Sequence, residues 1–212
     1  MTPEELAERH THLFHVTLPG AWTSIRARGL LPTSRLLDLF EIEGEERDRL
    51  ERRRRPAAVS INHPRHGTAV LNNQSPMTEA ALAKCLDDGL TPGDWLATLN
   101  HRVFFWCDEA GLSRLLGARA NRARALEVLV ADTLSLAHAH AGRIEISPIN
   151  SGATLRRPAR RGLATFTPML ELSYAGWSRK RGGHDRILEV TVLDGVPDIA
   201  RHVVEVRRVA PP

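Results

Sequence analysis

Residues 187–192 read Ile-Leu-Glu-Val-Thr-Val, and this alternating stretch indicates a β-strand. Alternate residues of a strand share a face, so Leu188 and Val190 point to one side and Glu189 and Thr191 to the other. Burying a carboxylate costs free energy unless the group is paired or has a function. Glu189 is therefore a candidate functional residue. An exposed face is the alternative, because antiparallel sheets can be wet on one side.

The rest of the chain mixes short strands with helices. The pattern predicts strands at 12–17, 57–61, 68–72, 103–106, 126–131, 143–147 and 203–209. It predicts helices at 4–9, 19–29, 43–55, 78–88, 91–99 and 108–116, another capped by Thr33 or Ser34, and one that begins after Asp132. Residues 43–55 suit a solvated helical face. Irregular mixing of strands and helices indicates an α+β fold, and the length fits a single mixed domain over residues 1–212.

The composition of the chain argues against a membrane protein and against a disulfide-rich secreted protein. No apolar stretch approaches the roughly 20 residues that a transmembrane helix needs, and the polar start lacks the features of a signal peptide. The two cysteines, Cys85 and Cys107, cannot form a disulfide framework. We therefore expect a cytoplasmic protein that does not associate with membranes.

Several common catalytic signatures are missing from the sequence. It contains no phosphate-binding P-loop, no dinucleotide fingerprint and no Gly-x-Ser-x-Gly nucleophile elbow. Histidines cluster as His10, His12 and His15 and as His63 and His66, but neither group has a second ligand pair at the usual zinc spacing. We predict no metal site from the sequence.

Positive charge is concentrated near the C-terminus. Residues 1–150 carry a net charge of −1, whereas residues 151–212 carry +5. Residues 148–186 contain many prolines and glycines and predict a long basic loop, which in a compact domain is usually functional or disordered. Its polar, basic and aromatic members are candidates for holding phosphates and stacking on unpaired bases. They are Asn150, Arg156, Arg157, Arg160, Arg161, Tyr174, Trp177 and Arg179. A solvated loop with its aromatics folded inward is the alternative, and the arginine bias can also be compositional.

The first predicted strand ends in a second polar feature. His15 and Thr17 flank Val16, so their side chains share a face and can clamp a planar polar ligand by hydrogen bonding. A surface-facing pair on an edge strand is the alternative.

Taken in order, these features resemble the ADP-ribosyltransferase fold, and most of all the DarT-type DNA ADP-ribosyltransferases of bacterial toxin systems. His15-Val16-Thr17 is similar to the family's His-x-Thr strand, and Trp22, Ile25, Gly29 and Leu30 follow at matching spacing. Residues 103–106 (Val-Phe-Phe-Trp) look like a further family strand. Glu189 stands where the family carries its catalytic glutamate, and residues 195–199 (Gly-Val-Pro-Asp-Ile) look like the exit from that strand.

The resemblance implies an enzyme that transfers ADP-ribose from NAD to a nucleic acid, with single-stranded DNA favoured over RNA. It assigns Glu189 as the catalytic carboxylate, and His15 and Thr17 as NAD contacts, with His15 donating a hydrogen bond. Arg65 and Arg102 are candidates for an NAD-contacting arginine. Residues 148–186 become the substrate-recognition loop. A toxin-like member also implies a neutralising antitoxin partner.

Other functions stay open at this point. An RNA 2′-phosphotransferase shares the fold and the use of NAD. A catalytically silent nucleic-acid-binding domain would bind in a salt-dependent way and ignore NAD. A protein–protein interaction module would carry its arginines for compositional reasons only.

Overall fold

The computed structural model describes residues 1–155, 157–182 and 187–211. The chain divides into two compact units. We call Met1–Leu30, Val103–Ile149 and Phe166–Pro212 the sheet unit, and Leu31–Arg102 and Asn150–Thr165 the hairpin unit. The expectation of one domain over residues 1–212 stays a prediction.

Strands and helices are numbered along the chain. The described strands are β1 His12–Thr17, β2 Val59–His63, β3 Gly67–Leu71, β4 Arg102–Trp106, β5 Leu126–Asp132, β6 Ile144–Ser147, β7 Thr167–Pro168, β8 Glu189–Leu193 and β9 Val203–Val209. The described α-helices are α1 Pro3–Arg9, α2 Ala21–Arg28, α3 Thr33–Leu39, α4 Gly44–Arg52, α5 Glu79–Ala83, α6 Pro92–Asn100, α7 Glu109–Leu116, α8 Thr133–His140 and α9 Tyr174–Lys180. This mixture confirms the predicted α+β class.

One seven-stranded sheet organises the sheet unit, in the order β7-β6-β8-β4-β1-β5-β9. Antiparallel ladders join β1 to β4 and β5, β5 to β9, and β6 to β7 and β8. The strand that carries Glu189 is therefore internal, and β4 lies between it and the strand that carries His15. Neighbours on both sides explain why β8 is buried along most of its length.

Alternation along the strands builds the core of the sheet unit. Leu13, Phe105 and Val190 belong to one buried cluster, which also includes Leu6 of α1 and Leu136 of α8. Phe14, adjacent to Leu13, belongs to a second cluster with Val128, Val130 and Leu112 of α7. Because adjacent strand residues point to opposite faces, the run of apolar residues in β1 supplies both clusters.

Local signals set most helix boundaries. Thr2 with Glu5 and Thr91 with Asp94 form capping boxes at α1 and α6, and the Asp132 side chain accepts from the Ser135 N–H at the start of α8. The helix starts predicted at residue 91 and after Asp132 are confirmed. Helix α5 ends far earlier than predicted, and Asp88 and Gly89 beyond it have positive φ, which an α-helix cannot accommodate.

In the hairpin unit, β2 and β3 form an antiparallel pair beside helices α3 to α6. Arg55 corrects the expectation of a solvated helical face over residues 43–55, because it is buried and lies beyond the end of α4. Its Nε donates to the Asn72 carbonyl at 3.1 Å and its Nη2 to Asn100 Oδ1 at 3.1 Å. Burial lowers the pKa of its guanidinium to about 10.

Residues 148–186 do not form one irregular loop. Residues 150–165 belong to the hairpin unit, whereas residues 166–182 belong to the sheet unit, where they include β7 and α9. Phe166, Met169 and Trp177 are buried, so apolar burial orders the second part. Residues 183–186 lie outside the described residues.

Within residues 1–155, 157–182 and 187–211, no helix combines the length and the apolar character that crossing a membrane would require.

Candidate active site

Glu189 begins strand β8 and is buried, with 5% of its surface exposed. It pairs with Ser147 of β6, and two residues further along β8 Thr191 pairs with Glu145. Directly paired and alternate residues share a face, so these four side chains form a polar cluster on one side of the two strands. All four are buried. The sequence alone had left an exposed face for Glu189 open, and the structure excludes it.

A hydroxyl in this polar cluster contacts a second carboxylate. The Thr191 Oγ1 lies 3.4 Å from the Glu145 carbonyl and 3.5 Å from Glu145 Oε2, and it donates toward both. Glu145 and Glu189 are diagonal neighbours across the ladder, a relationship that places Cα atoms about 7–8 Å apart. Carboxylate oxygens can accept hydrogen bonds from a ligand's hydroxyl groups.

The negative charge of Glu189 affects the thiol of Cys107, which follows the last residue of β4. Burial raises the pKa of the Cys107 thiol, and the negative charges of Glu189 and Asp108 raise it further. The Glu189 carboxylate therefore lies close enough to the end of β4 to act on that thiol. A thiol held protonated in this way is a poor nucleophile.

His15 is held through one ring nitrogen. Its Nδ1 lies 2.9 Å from the carbonyl oxygen of Phe104, and its ring meets that of Phe105 edge-on at 5.8 Å. Desolvation lowers the pKa of His15, although the bond to Phe104 partly opposes this. The neutral ring donates its Nδ1 proton to the carbonyl and leaves Nε2 as an acceptor. The role of His15 as a hydrogen-bond donor to NAD stays a prediction, whereas the neutral ring bonded in this way offers Nε2 as an acceptor.

Thr17 faces a carboxylate that sequence reasoning missed. Thr17 pairs with Glu127 of β5, which is 5% exposed and accepts from the Trp22 N–H at 3.4 Å. The available signal was a lone acidic residue inside the otherwise apolar run of residues 126–131. Glu127 is therefore a buried carboxylate near the start of α2.

The sheet order relates Glu189 to His15. They lie on β8 and β1, with β4 between them, so two inter-strand steps of about 4.8 Å separate their strands. Strands β1 and β4 pair at Phe14 and Trp106, and one residue further along β1 the His15 imidazole bonds to the β4 backbone. His15 pairs with Leu129 of β5 and bonds to β4 through its ring, whereas Glu189 pairs with Ser147 of β6.

A sequence profile described as "Family of unknown function (DUF7002)" matches residues 11–203. The chain belongs to the DUF7002 family. The matched span contains both His15 and Glu189. No curated protein matches the chain.

Of the two arginines named as NAD contacts in this DUF7002 chain, Arg65 lies in the hairpin unit, and Arg102 is the last residue of the segment 31–102 and the first residue of β4. Arg65 is exposed at the turn between β2 and β3, with its Nη2 3.8 Å from Glu41 Oε1. Arg102 is partly buried, and its Nη1 donates to the Thr98 carbonyl at 2.5 Å. Neither observation selects one of them as a ligand contact.

The basic candidates of residues 150–165 differ sharply in exposure. Asn150, Arg157 and Arg160 are exposed, and Arg160 is also paired with Asp87. Arg161 is 2% exposed, and its guanidinium donates to the carbonyls of Ser151, Ala153 and Ala159. The assignment of Arg161 to substrate binding is therefore corrected, because these bonds use its donors inside the protein. Arg156 lies outside the described residues.

The aromatic candidates of the DUF7002 chain fold inward. Trp177 is fully buried in the core of the sheet unit, so the prediction that it stacks on a nucleobase is wrong. Tyr174 is partly buried, and the Arg9 guanidinium carbon lies 3.3 Å from its ring centroid. Arg179 on the same helix is exposed. The inward-folding alternative describes these aromatics better than the stacking hypothesis.

Proposed function

We propose that the chain is an NAD-dependent ADP-ribosyltransferase whose acceptor is a nucleic acid, with single-stranded DNA as the first acceptor to test. The observation that carries the proposal is Glu189, a buried carboxylate on an internal strand, in a polar cluster with Glu145, Ser147 and Thr191. Burying two carboxylates is costly, and such groups are retained where they are paired or functional.

The donors and acceptors of this chain fit a ribose ligand. Ribose hydroxyls need acceptors, and Glu189 and the Nε2 atom of His15 are acceptors. The Thr17 hydroxyl can either donate or accept. Bound NAD supplies a nicotinamide–ribose bond that breaks through an oxocarbenium-like transition state, as in glycosidic cleavage.

Glu189 performs the electrostatic part of the proposed reaction. Its carboxylate stabilises positive charge that develops on the ribose carbon and orients a ribose hydroxyl by accepting its hydrogen bond. The C1′–N bond breaks as the bond from C1′ to the acceptor forms, nicotinamide leaves with the bonding electron pair, and the acceptor's proton passes to solvent. Glu145 raises the local negative charge and holds Thr191 through its hydrogen bond.

Exposed basic side chains support a polyanionic acceptor. Arg157 and Arg179 are exposed and can contact phosphates, which bind arginine in a salt-dependent way. The preference for DNA rests on the resemblance to DarT-type enzymes. The antitoxin partner has the same basis and is tested by co-purification with proteins of the native host.

The test measures nicotinamide release from NAD in the presence of single-stranded DNA, RNA or protein extract. We expect release that depends on DNA, with transfer of label from the adenylate of NAD to the nucleic acid. Glu189→Gln should lower the rate about 100-fold or more while leaving the fold intact. Glu205→Gln, which changes an exposed glutamate of β9, is the matched control and should keep full activity.

The remaining outcomes separate the alternatives. Transfer of a 2′-phosphate from RNA to NAD would identify the RNA 2′-phosphotransferase reaction. Release of nicotinamide without any acceptor would identify NAD hydrolysis and would contradict transfer to a nucleic acid. Absence of both turnover and thermal stabilisation by NAD would overturn it and favour a silent binding domain.

A further inference from the structure

Two histidines converge on one aspartate on the side of the sheet unit where β8 ends. His140 closes α8, Asp198 follows β8, and His202 immediately precedes β9. The Nε2 of His140 lies 2.7 Å from Asp198 Oδ1, and the Nε2 of His202 lies 3.4 Å from Asp198 Oδ2. One ligand atom from each residue falls within 4.8 Å of the others. The chain spacing of 140, 198 and 202 hides this group from sequence inspection.

The His202 side chain is the informative member of the group. It is 4% exposed, and its Nε2 is buried without a hydrogen-bond partner among the described residues. Its Nδ1 lies 2.7 Å from the Ser135 Oγ. In the tautomer that carries its proton on Nδ1, His202 donates that proton to the Ser135 Oγ, and Nε2 directs a lone pair toward the Asp198 carboxylate. Two facing electron-rich groups favour a cation between them.

We propose that His140, Asp198 and His202 form a binding site for a divalent transition metal of the Zn²⁺ class. Two imidazole nitrogens and a carboxylate suit Zn²⁺ and its first-row neighbours, whereas Ca²⁺ and Mg²⁺ prefer oxygen ligands. The His202–Asp198 separation of 3.4 Å is close to the edge of a tetrahedron with bonds of about 2.0–2.1 Å. The Asp198 side chain is 31% exposed, so solvent can complete the coordination.

The Ser135 hydroxyl can orient the His202 ring for metal binding. Metal-bound histidines usually donate their second ring proton to an oxygen, and the Ser135 Oγ is placed to accept it from His202. The same hydroxyl belongs to the first turn of α8, whose last residue is His140. One short helix thus supplies one ligand and orients the other.

Arg143 holds His140 in the tautomer that cannot bind a metal through Nε2. Its Nη2 donates to His140 Nδ1 at 2.7 Å, so the neutral ring carries its proton on Nε2 and gives it to Asp198. Coordination through Nε2 requires that proton to move to Nδ1, where it faces the Arg143 N–H. Arg143 Nη2 must then withdraw, although its Nη1 can keep its bonds to the Leu193 and Gly195 carbonyls.

Zinc titration of the chelator-treated full chain tests the site. We expect one Zn²⁺ per chain by isothermal titration and a rise in melting temperature. Loss of a group that only orients a metal ligand lowers metal affinity roughly 10-fold. His202→Gln removes a ligand itself and should therefore weaken Zn²⁺ binding by more than that. His138→Gln is the matched control, because this exposed histidine lies on the same helix and pairs with Glu4.

The Arg143→Gln variant distinguishes a metal site from a hydrogen-bond network that only stabilises the fold. The glutamine carbonyl can accept the Nδ1 proton that the bound form of His140 carries, so Zn²⁺ affinity should rise about 10-fold although Arg143's own bonds are lost. Far-ultraviolet circular dichroism confirms folding of each variant. Failure of the wild-type chain to bind Zn²⁺, equal loss in His202→Gln and His138→Gln, or weaker binding by Arg143→Gln would each overturn the proposal. None of these results depends on NAD or on Glu189.

Discussion

A Cβ atom on Gly29 would lie 2.6 Å from the Cα of Pro197. Gly29 follows the last residue of α2 and has a φ of +91°, and the next residue, Leu30, exchanges backbone hydrogen bonds of 2.9 and 2.8 Å with Val196. The turn after α2 therefore packs directly on the segment after β8. Both stretches belong to the resemblance noted in the sequence, and the structure makes them neighbours.

Gly29→Ala should destabilise the sheet unit by about 2 kcal/mol or more, because the methyl group meets backbone and the φ is unfavourable for alanine. Gly20→Ala is the control, since Gly20 also has a positive φ but open space around it, and should cost about 1 kcal/mol. Urea denaturation measures both free energies of unfolding. Equal costs would show that the contact with Pro197 contributes nothing.

Protonation of His15 should destabilise the folded chain. Its folded-state pKa is lowered by burial, so the unfolded chain binds a proton first as the pH falls through about 6.5. The stabilisation is complete above that pH and declines below it. His15→Gln should therefore lose less stability than the wild type between pH 7.5 and pH 5, as measured by urea denaturation. His12→Gln, at the exposed end of the same strand, should behave like the wild type.

Arg161→Met should destabilise the hairpin unit by about 2 kcal/mol or more, because it leaves the Ser151 and Ala153 carbonyls without a charged donor. Arg157→Met removes an exposed arginine of the same segment and should change stability by less than about 0.5 kcal/mol. Thermal unfolding followed by circular dichroism compares the two. Similar melting temperatures would contradict the anchoring role of Arg161.

Nucleic-acid binding should depend on exposed arginines and not on Trp177. Replacing Arg157 and Arg179 by glutamate should weaken binding of single-stranded DNA and reduce the dependence of the affinity on salt. Trp177→Phe should lower stability, because the side chain fills the core, yet leave DNA affinity unchanged in the folded protein. Fluorescence anisotropy at several salt concentrations measures both effects. Loss of binding in Trp177→Phe with stability unchanged would contradict the buried placement.

Short-range patterns explain most of what could be predicted. Strand β1 has the predicted bounds, 12–17, and the helix starts predicted at residue 91 and after Asp132 are confirmed. Side-chain alternation and capping are decided by residues within a few positions of one another, so they can be inferred from the sequence. The α+β class and the candidacy of Glu189 follow from the same local patterns.

Only the tertiary structure decided which polar and aromatic groups are buried. Arg161 looked like one of several loop arginines until its contacts with three carbonyls placed it inside the hairpin unit. Trp177 looked like a stacking surface until the core of the sheet unit enclosed it. Likewise, His140, Asp198 and His202 meet because β8 and β9 return the chain to the end of α8. Burial and long-range convergence depend on contacts between distant residues, which local sequence patterns do not encode.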